Sequence, residues 1–192
     1  MMAPETRQQV DGGLFRSALL SSEAWLRKAN DLLETAAVLE YRVRAVWEER
    51  RGFSPPTAHA YSDSGVLDVH LLIVAFGIEG LLKSAVVRTR RDSLAVEFDR
   101  SAKLPRVLHT HDLVRLGHLA GFQTCLEEEG LLRRLTRVAT WSGRYPLPVS
   151  VEDRSSGGTF SDRKRYPLAY HWPHDVDHLN ALIARMRREL SR

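Results

Sequence analysis

The chain holds a single cysteine, Cys125, so no disulfide can close within it. That excludes a disulfide-stapled scaffold and suits a reducing cytosol, the compartment expected here. No uninterrupted apolar run approaches the roughly 18 residues of a membrane span. The longest, Leu71–Ile78, is apolar or glycine throughout and then stops. The opening MMAPETRQQVDGG has no basic start followed by an apolar stretch, so neither a secretory leader nor membrane attachment is expected. No glycine-rich phosphate loop follows a strand and no GxSxG turn occurs, which sets aside two common routes to phosphoryl and acyl transfer. An excess of one charge is missing too. Lys and Arg number 28 against 24 Asp and Glu, a formal net charge of +4. Such a balance is compatible with a phosphate-rich partner without requiring one.

What is present is helical periodicity. With 192 residues, 43% of them hydrophobic and 27% charged, the chain is long enough to bury a core as one domain. Residues 1–20 are polar with Gly12 and Gly13 and read as a flexible tail in which Leu14, Phe15, Leu19 and Leu20 can pack locally; residues 21–192 read as the folded domain. From Trp25 to Val46, apolar residues recur every three or four positions, giving a long amphipathic helix that Pro55-Pro56 must stop. The stretch Val66–Arg88, VLDVHLLIVAFGIEGLLKSAVVR, is apolar nearly all round and reads as a central helix buried by others, with Asp63 and Ser64 as candidate caps. Glu79 and Lys83 interrupt it at i,i+4, the order that favours an ion pair; for such a pair an exposed salt bridge is the ordinary expectation. This central helix is expected to fade at residues 89–92, with Val96 and Phe98 in a short extended piece and Pro105 in a loop. Thr110 reads as the cap of a third helix ending at Gly121, and Thr124 as the start of a fourth.

From Gly143 to Pro173 no helix is predicted. A last one follows, with Val176, Leu179, Leu182, Ile183, Met186 and Leu190 on one side and Pro173 suited to its first turn. The expected fold is therefore all-α: an up-and-down bundle of about five helices with a long loop before the last.

Three landmarks, FGIEGLLKSAVV in the central helix, His111-Asp112-Leu113 opening the third helix and Arg144-Tyr145-Pro146 after the fourth, occur in an order and spacing that resembles the HEPN superfamily of small helical RNA- or nucleotide-associated domains. The resemblance spans roughly residues 22–190 and implies a HEPN-like bundle that pairs as a homodimer. Many HEPN proteins are metal-independent endoribonucleases of toxin or phage-defence type. Their motif is an arginine, four to six residues, then a histidine at the start of the last long helix. Arg165 and His171 fit that spacing immediately before the last helix, and are the catalytic pair the resemblance implies. Arginine can hold a phosphate at two points, and histidine can move protons to or from the reacting oxygens. A second match, Arg106 to His111, precedes a different helix. Neither arginine is followed by the polar residue that active members often carry. With 28 basic residues and 8 histidines such spacings also arise by chance, so a turn at Arg165 and a packed His171 compete with catalysis.

In the family, the arginine corresponding to Arg144 sits beside the buried acid of the central helix. The resemblance thus gives Arg144 a structural role or a phosphate contact, with Tyr145 beside it. Glu79 and Lys83 form the structural polar pair. A non-catalytic HEPN module that binds nucleotide, or a nucleotidyltransferase-type protein partner, is the alternative to a ribonuclease. No cofactor and no metal is implied. His174 and His178 stand at i,i+4 with Asp175 and Asp177 nearby. They lack the glutamate of the zinc-protease helix pattern, so solvated histidines are expected there.

Overall fold

Two helices running in opposite directions form the spine of the protein. In the computed structural model, residues 7–49, 65–142, 158–159, 165–166 and 173–190 are described. Among them stand seven α-helices: α1 (Arg7–Leu19), α2 (Ser22–Glu49), α3 (Gly65–Ser101), α4 (Arg106–His109), α5 (Leu113–Leu119), α6 (Leu126–Arg137) and α7 (Asp175–Leu190). A π-helical turn, Val138–Ser142, prolongs α6. Two short strands, β1 (Gly158–Thr159) and β2 (Arg165–Tyr166), pair antiparallel with Gly158 opposite Tyr166. The chain is thus mostly helical, with more helices than the five expected.

The spine is α2 against α3, and small residues set how close they come. A Cβ on Gly80 would lie 2.8 Å from the Ala29 Cβ, and one on Gly77 would lie 2.5 Å from the Leu33 Cδ2. At the far end the Ser84 hydroxyl donates to the Ser22 carbonyl at 2.8 Å. On its other side α3 buries Leu71, Val74, Ala75, Ile78 and Leu82 in one cluster with Leu113 and Leu116 of α5, Leu132 and Leu135 of α6, and Leu179, Leu182 and Met186 of α7. Covered on several sides, α3 can be apolar round its whole circumference. It is long and apolar enough to cross a membrane, yet 61% of its most apolar window is buried inside the protein, as in a core helix.

Several expectations are corrected. Residues 7–19 are helical rather than part of a flexible tail. Arg16 donates to both oxygens of Asp99 at 2.7 and 2.9 Å, Phe15 stacks on Phe98 at 5.6 Å, and Leu19 and Leu20 are buried. The central helix does give way at residues 89–92, as expected, at the non-helical Arg90, but a second helical segment follows and carries α3 on to Ser101. The kink lies at Arg90 (φ −123°, ψ 20°), where the Thr89 hydroxyl donates back to the Ala85 and Val86 carbonyls. Such back-bonding bends helices without proline. Val96 and Phe98 are therefore helical, not extended. Leu94 and Phe98 lie one turn apart and are buried with Leu19, Val87 and Leu108. Pro105 does lie in a loop, as expected, immediately before the short α4. Asp112, not Thr110, caps α5, and Cys125, not Thr124, caps α6. Pro173 precedes α7, which begins at Asp175. Asp63 and Ser64 lie outside the described residues.

Candidate functional site

The one charged pair that interrupts the apolar run of α3 is buried, contrary to the exposed salt bridge expected. Lys83 Nζ donates to Glu79 Oε1 at 2.6 Å, with the side chains only 5% and 9% exposed. Trp25 of α2 covers the ammonium, its ring centre 5.6 Å from Nζ. The Trp25 indole is itself fixed by donating to the Leu19 carbonyl at 3.0 Å. The second oxygen, Glu79 Oε2, lies 2.7 Å from Nδ1 of His111, which arrives from the connection between α4 and α5. Both carboxylate oxygens are therefore engaged, as a buried carboxylate requires.

His111 is placed by its own backbone neighbours. Thr110 Oγ1 accepts from the Asp112 amide, Asp112 Oδ1 accepts from the Arg115 amide, and the Leu113 amide donates to Thr136 Oγ1 of α6, each at 3.0 Å. These bonds fix the turn into α5 and tie it to α6. The imidazole meets the edge of Phe76 at 6.3 Å between ring centres, and its side chain remains 38% exposed. A carboxylate only accepts hydrogen bonds, so Nδ1 carries the proton toward Glu79. In the neutral ring this leaves Nε2 as an acceptor. The π-helical turn at the end of α6 packs against α3. Such turns often accompany functional sites because their carbonyls are displaced from the regular ladder.

A second buried polar centre stands further toward the start of α3. The Arg134 guanidinium of α6 pairs with Asp175, the first residue of α7, with side chains 5% and 1% exposed. His70 of α3 is also buried. Burial pushes its pKa down to about 4, with the negative charge of Asp175 opposing that shift. Elsewhere, a small cleft of about 190 Å³ lined by Ser22, Leu26, Leu81, Ser84, Arg88 and Met186 opens between α2, α3 and α7. It lies on the side of α3 away from Glu79 and is smaller than the roughly 300 Å³ at which ligand pockets usually begin.

The expected site residues fall as follows. Glu79 and Lys83 meet, and His111 joins them. Arg165 lies in β2, its backbone paired through Thr159. His171, Arg144 and Tyr145 lie outside the described residues. Arg106 is exposed on α4, its amide donating to Glu97 Oε1 at 2.8 Å. Among the described residues no group of three or more His, Cys, Asp or Glu side chains is arranged to hold a metal ion. The sequence reading did not join His111 to Glu79, although it singled out both. Nor did it anticipate that Arg134 and His70 are buried with Asp175. Charged residues on apolar helix faces were the available signal.

No protein-family model matches this chain, and no curated protein and no solved structure matches it.

Proposed function

We propose that this is a HEPN-like helical protein that associates with RNA or nucleotide phosphate. The observation that carries the reading is the Glu79–His111 pair: a buried carboxylate orients an imidazole that stays 38% exposed. A histidine held in one tautomer can receive or deliver a proton at a phosphate or a ribose hydroxyl. In the ribonuclease form of this reading, Arg165 and His171 act as the catalytic pair in a homodimer, and Arg144 and Tyr145 contact phosphate and base. The ribose 2′-OH attacks the adjacent phosphorus as histidine takes up its proton. The bond from phosphorus to the 5′-oxygen of the next nucleotide breaks, that oxygen leaves as a hydroxyl after gaining a proton, and a 2′,3′-cyclic phosphate remains. Arginine offsets the charge that develops on the phosphoryl oxygens.

One observation favours the second reading, a non-catalytic module that docks nucleotide or a nucleotidyltransferase-type partner. Glu79 is fully satisfied by Lys83 and His111, as a purely structural keystone would be. Incubating the protein with mixed RNA and a chelator, beside His171→Ala, separates the two. Chelator-resistant cleavage lost in His171→Ala supports the ribonuclease. RNA or nucleotide binding without cleavage supports the docking module. Absence of both cleavage and binding removes the proposal.

A further inference from the structure

At the start of α7 two imidazoles stand together, outside the site around Glu79. His174 occupies the capping position, its carbonyl accepting the His178 amide at 3.2 Å. The two side chains are thus one helical turn apart on one face, and both are exposed. Their ring centres are 4.9 Å apart, with the ring planes at 55°. That separation has a chemical meaning. An imidazole nitrogen binds a borderline transition ion at about 2.0–2.1 Å, which puts each ring centre roughly 3.2 Å from the ion. Two such rings at a ligand–metal–ligand angle of about 100° then have centres about 5 Å apart.

The neighbouring carboxylates are committed elsewhere. Asp177 Oδ1 is held by the Arg44 guanidinium at 2.6 Å, and Asp175 is buried against Arg134. Among the described residues, one nitrogen of each ring would therefore supply the ligands, with water or an external group filling the other positions. We propose that His174 and His178 form a two-histidine clamp for a borderline divalent transition ion such as Ni²⁺, Zn²⁺ or Cu²⁺. Hard ions such as Mg²⁺ prefer oxygen and are not expected there. Because the clamp spans the first turn of α7, an ion held by it also pins the start of that helix.

The test is calorimetric titration of the tag-free full-length chain with Ni²⁺, beside His174→Ala and His178→Gln, each checked for native helicity. One-to-one binding that weakens roughly tenfold or more in both variants, as loss of one of two ligands predicts, establishes the clamp. Copper(II) electron paramagnetic resonance should show coupling to two imidazole nitrogens in the native chain and to one in either variant. The proposal is overturned if the native chain shows no saturable binding. It is equally overturned if either variant binds as the native chain does.

Discussion

His111 and Glu79 are separated by 32 residues in sequence, yet Nδ1 of one lies 2.7 Å from Oε2 of the other. The other oxygen of Glu79 takes the Lys83 ammonium at 2.6 Å, so one carboxylate ties the turn before α5 to two positions of α3. Burying charges is costly unless each finds a partner, and removing one member leaves the other stranded. Glu79→Gln keeps the shape but strands Lys83, whose side chain is 5% exposed. The variant is expected to lose about 3–5 kcal/mol in urea unfolding. The double variant Glu79→Leu/Lys83→Met, which removes both charges, should recover a substantial part of that loss. Equal losses in the two would show that Lys83 does not depend on Glu79.

Acid should weaken the fold through His70. Its pKa lies at about 4 when folded, against an ordinary 6.5. Between those values the unfolded chain binds the proton and the folded chain does not, so stability falls as pH falls. The contribution is fully present above pH 6.5 and is lost as pH drops toward 4. Its size is on the order of 3 kcal/mol if the whole shift is expressed. Asp175 faces His70 and favours its charged form, with Arg134 paired to the same carboxylate. Urea midpoints measured from pH 7.5 to 4 should slope downward in the native chain and more shallowly in His70→Leu. Parallel slopes would assign the acid sensitivity to other groups.

The spine predicts a steric result. Alanine is the better helix former, so Gly80→Ala gains about 1 kcal/mol in propensity. The added methyl, however, would sit 2.8 Å from the Ala29 Cβ and 3.2 Å from its Cα. Overpacking of this kind costs roughly 1–3 kcal/mol. A net destabilisation is expected in thermal melts, and Ala29→Gly in the same chain should relieve it. A Gly80→Ala variant more stable than the native chain would mean that α2 and α3 separate freely.

Much of this architecture is legible from apolar spacing alone. The faces of α2 and α7 follow the three- and four-residue rhythm. The all-round apolarity of α3 marks it as the core, because only a helix covered on several sides can carry it. What cannot be read is what tertiary contact decides. RQQVDGGLFRSAL has two adjacent glycines and little amphipathicity, and its anchors, Asp99 and Phe98, lie more than 80 residues away. Residues 93–101 look extended because Val and Phe favour strands, but burial of Leu94 and Phe98 on one helical face overrides that preference. The i,i+4 spacing brings Glu79 and Lys83 together on paper without showing that Trp25 and His111 would enclose them. The partnership of His111 likewise depends on how α5 packs against α3.

That partnership also separates a structural from a functional role for His111. Alanine there leaves Glu79 Oε2 buried without its donor, at a cost of about 1–3 kcal/mol, so loss of function in His111→Ala would be ambiguous. Asparagine is more informative. Its amide can donate to Oε2 from nearly the position of Nδ1, but it has no second ring nitrogen and no proton to exchange near neutral pH. His111→Asn should therefore unfold within about 1 kcal/mol of the native chain. If Nε2 serves RNA or nucleotide, this folded variant loses cleavage or binding. If His111 only braces Glu79, asparagine retains function where alanine does not. Measuring stability and RNA association on both variants decides whether the exposed side of the imidazole has a use.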